Sequence, residues 1–226
     1  MSDVRYAVYY APPVGSALAD FGAAWLGWDA ETEAAVEHPE VPVDVDAITQ
    51  TPRKYGFHGT LKPPFRLARG TTEAGLRAAI QDLASGIRAF EASPLVLRRL
   101  DRFLALVPSS RCEPLSDLAA ACVQGLDAFR APPTEGEIAR RQASGLTPEQ
   151  NAFLERWGYP YVLGAFRFHL TLTGALKAAV LDEAEDCLKP LTASFAQQPM
   201  AVHEICLFQQ IDGAPFRVLH RYALAG

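Results

Sequence analysis

Two short segments, half the chain apart, carry side chains in an order that suits phosphate chemistry. One is His58-Gly59-Thr60-Leu61 and the other His169-Leu170-Thr171-Leu172. An imidazole titrates near neutrality and serves as general base or general acid. Two imidazoles on opposite sides of one phosphorus would divide the work, one taking a proton from an attacking water and the other protonating the leaving oxygen. Hydroxyls two residues further on would donate to the non-bridging oxygens as negative charge builds there. Chemistry of this kind calls for neither a metal ion nor an organic cofactor. The sequence offers no His-Glu-x-x-His motif and no His-rich tract beside a carboxylate. His38, His203 and His220 have no threonine two places on and are expected to be structural.

Strand parity sharpens the assignment, because successive side chains of a strand point to opposite faces. In the second segment Phe166, Phe168, Leu170 and Leu172 would share an apolar face. Arg167, His169, Thr171 and Thr173 would share the other, a row that is costly to bury without a ligand. In the first segment Tyr55, Phe57 and Leu61 would face the core, with His58, Thr60 and Lys62 turned away. Lys62 and Arg167 thereby join the candidate phosphate ligands as charge partners. The competing possibility for the threonines is plain strand-forming preference.

The elements that must hold these residues follow from hydrophobic periodicity and turn chemistry. A strand is expected at Arg5–Tyr10, then a helix from a Ser16 cap to about Trp28, then a proline-rich acidic loop from about Ala35 to Pro52. Tyr55–Lys62 reads as a strand stopped by Pro63 and Pro64. A helix over Thr72–Arg88 and two apolar runs, Leu95–Arg98 and Arg102–Val107, come next. The second half repeats the order: a helix near Leu115–Phe129, a strand at Phe166–Thr173 and a helix over Ala178–Leu188. Two strands, Ala201–Gln209 and Phe216–Ala223, close it around the turn Asp212-Gly213. Before the second motif lies a polar insertion, about 131–160. Two capping boxes, Thr134 with Glu137 and Thr147 with Gln150, make it helical. Arg140, Arg141, Arg156, Tyr159 and Tyr161, in or beside it, would form either a substrate-reading lid or a solvated helix face. Arg98, Arg99 and Arg102 fit a solvated hairpin turn.

Composition removes several alternatives. The 226 residues hold 21 Lys and Arg against 26 Asp and Glu, a net charge of −5. An extended nucleic-acid footprint needs a basic surface and is therefore disfavoured, whereas a local cation cluster could still hold a small phosphorylated metabolite or a cyclic nucleotide. No apolar run approaches the ~20 residues of a membrane span. The first residues lack the basic and apolar stretches of an export signal. Cys112, Cys122, Cys187 and Cys206 form no Cys-x-x-Cys pair, which suits small buried residues in a reducing cytoplasm.

The paired motifs resemble those of the two-histidine (2H) phosphoesterase superfamily. The longer stretches RKYGFHGTLKPPFRLA and WGYPYVLGAFRFHLTLTG are similar to a bacterial branch encoded beside phosphonate-degradation genes. The resemblance implies one α+β domain of two pseudo-symmetric lobes, about 1–110 and 111–226. Two small, antiparallel-rich sheets would face each other, with helices outside and the cleft between the lobes. It also implies that His58 and His169 are the catalytic pair, with Thr60 and Thr171 on the phosphate. The expected activity is opening of a cyclic phosphate or small phosphodiester, including a cyclic ribose phosphate of phosphonate breakdown. The alternatives are processing of RNA 2′,3′-cyclic phosphate ends, a non-catalytic nucleotide or phosphosugar sensor, and an accessory protein of a phosphonate enzyme assembly.

Overall fold

The computed structural model describes residues 3–226. Its first half contains β1 (Val4–Tyr10), α1 (Ala17–Leu26), β2 (Trp28–Asp29), β3 (Ala34–Ala35), α2 (Val45–Arg53), β4 (Gly59–Phe65) and α3 (Glu73–Ser85). Next come β5 (Phe90–Ala92), β6 (Leu95–Leu100), β7 (Phe103–Pro108) and α4 (Glu113–Gly125). The insertion supplies α5 (Glu135–Gln142) and α6 (Pro148–Trp157). The chain finishes with β8 (Leu170–Thr171), α7 (Ala178–Thr192), β9 (Met200–Val202), β10 (Glu204–Ile211) and β11 (Arg217–Ala223).

From Tyr6 to Tyr10 every residue of β1 is buried, which requires neighbours on both edges and cover on both faces. It lies between β10 and β4 in an antiparallel seven-stranded sheet ordered β11-β10-β1-β4-β8-β7-β6. Alternation along β1 separates two cores. Tyr6, Val8 and Tyr10 join the large apolar cluster that also takes in the helices, through residues such as Trp25, Ile80, Leu118 and Leu188. Ala7 and Tyr9 join a smaller cluster with Cys206, Phe208 and Phe216 on the other face. The motif residues sit on this second, thinly covered face.

Local signals place several helices as the sequence predicts. Ser16 and Thr72 cap α1 and α3, and both capping boxes of the insertion form. The tight turn at Asp212-Gly213 has both residues at positive φ and the Ala214 amide donating to the Ile211 carbonyl at 3.0 Å, as a type I′ turn demands. Among the described residues no helix is long and apolar enough to cross a membrane.

Several expectations are corrected. The acidic, proline-rich stretch is not all loop, because Asp44 caps α2 and Val45, Ile48, Thr49 and Pro52 are buried along one helical stripe. Pro52 cannot donate to the carbonyl of Ile48, and the amide of Gly174 takes that carbonyl at 2.8 Å. The end of the second motif is thus tied to α2. β4 starts at Gly59 rather than Tyr55 and runs through Pro63 and Pro64. The second motif forms only the two-residue β8, since past Leu172 the Thr173 hydroxyl replaces the backbone and accepts from the Leu104 amide at 3.0 Å.

The mixed α and β composition and the antiparallel pairing are as expected, but the two half-sheets are not separate. A single residue pair, Gly59 with Leu170, joins β4 to β8. Nor do the half-sheets follow the division at residue 110: β10 and β11 pair beside β1 and β4, and β8 pairs beside β7. Each half draws strands from both sides of that division.

Candidate active site

The junction between the half-sheets is also the crossing point of the two motifs. Gly59 and Leu170 are the middle residues of His-x-Thr in each, and they are register partners in antiparallel strands. Regular antiparallel pairing on either side of it would set His58 opposite Thr171 and Thr60 opposite His169. Since Leu170 is fully buried in the large core, alternation turns all four functional side chains to the other face. In regular antiparallel sheet, residues opposed in this way have Cβ atoms about 5 Å apart and diagonal neighbours are about 7–8 Å apart. Close approach at the crossing depends on glycine: a Cβ on Gly59 would lie 2.3 Å from the Phe168 ring.

Both imidazoles are held by the same device. His58 Nδ1 meets the carbonyl of Gly56 at 2.9 Å, and His169 Nδ1 meets the carbonyl of Arg167 at 2.8 Å. A carbonyl only accepts, so each Nδ1 carries the proton and each neutral ring keeps an acceptor at Nε2. The Thr60 hydroxyl donates to His58 Nε2 at 3.2 Å. Gly56 has φ +71°, and a Cβ there would press on Ala30 at 2.9 Å. The turn that aims its carbonyl at His58 therefore favours glycine on both counts.

Burial sets the charge state. His58 stacks on Tyr9, ring centroids 3.8 Å apart, and desolvation pushes its pKa down to about 4. The Gly56 hydrogen bond opposes the shift, and the positive charge of His169 adds to it. His169 is lowered as well, first by burial and then by the charge of Arg167. Both rings are therefore neutral at pH 7 in the free protein.

His58 and Thr60 open into a cleft of about 640 Å³. Arg5, Tyr9 and Tyr55 border it, and the insertion contributes Arg140, Arg141, Ser144 and Tyr159, with Tyr161 just beyond. The lid alternative thus places four of its five residues on the cleft. Arg156 instead lies over the Trp157 ring, 4.7 Å from its centroid. Arg5 and Tyr9 were legible in principle, because Arg5, Ala7 and Tyr9 share one face of β1. Arg66 and Arg130, which also line the cleft, carry no local signal.

Lys62 does not belong to the site. Thr60 pairs with Tyr9 but Lys62 pairs with Val8, so Leu61 is an extra residue in a β-bulge. The bulge reverses the parity beyond it. Lys62 is consequently 1% exposed on the helix side, donating to the Val123 carbonyl at 2.9 Å with Asp127 at 3.8 Å. Arg167 is exposed, and what it gives His169 is its carbonyl. Among the described residues no group of three or more His, Cys, Asp or Glu is placed to hold a metal ion.

A family model described as "Protein of unknown function (DUF1045)" matches residues 60–217. Two curated proteins named ribose 1,5-bisphosphate phosphokinase PhnN are similar in sequence. The one from Janthinobacterium sp. (strain Marseille) is 35% identical over all of this chain and 52% of its own length. The one from Laribacter hongkongensis (strain HLHK9) is 38% identical over 93% of this chain and 47% of its own. The chain spans about half the length of these relatives. Among solved structures, E. coli LigT complexed with 3′-AMP aligns over all of both chains at 17% identity and TM-score 0.45. A crystal structure of a phosphoesterase aligns at 16% identity and TM-score 0.42, over 99% of this chain and all of its own.

Proposed function

We propose that the chain, which belongs to the DUF1045 family, is a phosphodiesterase that opens a small cyclic phosphate by two-histidine acid–base catalysis. The observation that carries this is the pairing of the middle residues of the two His-x-Thr motifs, Gly59 with Leu170, from which strand alternation would direct both imidazoles and both hydroxyls to one face. His58, with its pKa pushed down to about 4, is the base. Its Nε2 takes a proton from water as the water oxygen bonds to phosphorus. His169 is the acid, and its proton passes to the ester oxygen as the P–O bond breaks, leaving a phosphate monoester and a free hydroxyl. The negative charge of the bound phosphodiester favours the imidazolium form that His169 needs. Thr60 and Thr171 donate to the non-bridging oxygens, and Thr60 releases His58 Nε2 as it does so.

A cyclic phosphate on ribose is the favoured substrate. Its opening yields a phosphorylated ribose, the compound class named in the kinase relatives of about twice this length. The likeness of both motif regions to the phosphonate-associated branch points the same way. Hydrolysis of a 2′,3′-cyclic nucleotide in the presence of chelator tests the chemistry. His58→Ala and His169→Ala should each lower kcat by ~10²–10⁴ with the fold intact. Near-full activity in either variant, or tight binding without turnover in the parent, would overturn it.

A further inference from the structure

The cleft is far more basic than its chemistry requires. Five arginines line it against one carboxylate, Glu137, in a chain of net charge −5. A cyclic phosphodiester carries a single negative charge, which the proposed mechanism already assigns to the histidines and threonines.

The five arginines are not equivalent. Arg66 is committed to Asp3 at 2.8 Å and Glu137 at 2.9 Å. Arg130 is committed to Asp127 at 2.8 Å and to the Arg156 carbonyl at 3.2 Å. These two are internally neutralised and anchor the insertion. Arg140 and Arg141, in the last turn of α5, form no ion pair among the described residues. The Arg141 guanidinium lies over the Tyr159 ring, 4.4 Å from its centroid, which holds its planar fork in place at the cleft. Arg5 is bonded to the neutral amide oxygen of Gln210, so its charge is also uncompensated. Favourable contact with the helix dipole could explain two arginines at a helix end anywhere on the surface. It does not explain why this end borders the cleft, with the Tyr159 hydroxyl beside it.

From this arrangement we propose that the substrate bears a second phosphate, a terminal monoester, held by Arg140 and Arg141 on the insertion while the cyclic phosphate lies at His58 and Thr60. This rests on the phosphodiesterase assignment and narrows its substrate class to small doubly phosphorylated compounds. Guanidinium pairs suit a terminal phosphate because its several oxygens accept bidentate bonds.

Binding of two product-like probes tests it without turnover: adenosine 2′-phosphate and adenosine 2′,5′-bisphosphate, by calorimetry at one ionic strength. The bisphosphate should bind at least ~10-fold tighter, the worth of one or two charge-assisted hydrogen bonds. In the Arg140→Ala/Arg141→Ala variant that ratio should fall towards one, and Arg140→Lys/Arg141→Lys should restore part of it. Both side chains are exposed, so the folded state should tolerate the changes. Equal affinities in the parent, binding of neither probe, or an unchanged ratio in the alanine variant would overturn the second-phosphate site. Opening of cyclic substrates is scored separately, so a failed histidine mechanism and a failed distal site give different results.

Discussion

Gly59→Ala is the most informative single perturbation, because it strikes the one residue pair that joins the half-sheets. A Cβ at this position would fall 2.3 and 2.5 Å from two carbons of the Phe168 ring. Ordinary carbon–carbon contact is ~3.5–4.0 Å, so the ring or the strands must move by about 1 Å. Phe168 has little room to retreat, being 6% exposed and packed edge-on against Tyr10 at 5.6 Å. Overpacking of this kind costs about 1–3 kcal/mol, or a Tm lower by about 2–12 °C in a chain of this size. The loss of turnover should exceed what stability alone implies. Parting β4 from β8 misplaces His58 and Thr60 relative to His169 and Thr171, and a 1 Å error at a reacting centre can cost ~10²-fold. Urea denaturation and cyclic-nucleotide turnover would be measured for Gly59→Ala, Phe168→Ala and the double variant. Removing the ring should abolish most of the stability cost of the added methyl. A Gly59→Ala protein within ~0.5 kcal/mol of the parent, or an equal penalty with and without Phe168, would refute the close-packed crossing.

Two further predictions follow from the buried titrating groups. Burial lowers the pKa of His58 to about 4 in the folded chain, from the 6.5 of a free imidazole. Between these limits the unfolded chain takes up a proton that the folded chain refuses, so stability is full above pH 6.5 and falls by about 3 kcal/mol towards pH 4. His58→Gln should flatten that part of the curve, and an unchanged acid slope in urea melts would contradict the assignment. Lys62, lowered by burial to about 8 from 10.5, should make stability rise with pH between those values, and Lys62→Met should remove the rise. Because Lys62 faces the helices, the same variant should keep turnover within about threefold of the parent; a ~100-fold loss would return it to the site.

How far the sequence discloses this molecule varies with the kind of information involved. Short-range chemistry is legible: Ser16 and Thr72 as caps, Thr134/Glu137 and Thr147/Gln150 as boxes, Asp212-Gly213 as a turn. So are the paired motifs, since His-x-Thr repeats in two strands. What depends on register is not. Lys62 follows Thr60 by two residues, yet the extra Leu61 rotates it to the opposite face, and nothing local announces a bulge. The extent of β8 is set by Leu104 and Thr173 from distant segments, and α2 is masked by prolines although Asp44 and the Val45-Ile48-Thr49 stripe mark it. The arginine wall is assembled from β1, the end of β4 and the insertion. Its members are far apart in the chain, and only the fold gathers them.

The central claim is that His58 and His169 act on one phosphorus, and a crystal structure with inorganic phosphate bound tests it most directly. The prediction is a single ion whose oxygens lie about 3 Å from Nε2 of both imidazoles, with the Thr60 and Thr171 hydroxyls also on it. An ion that touches only one histidine, or a pair of rings facing opposite sides of the sheet, would contradict it.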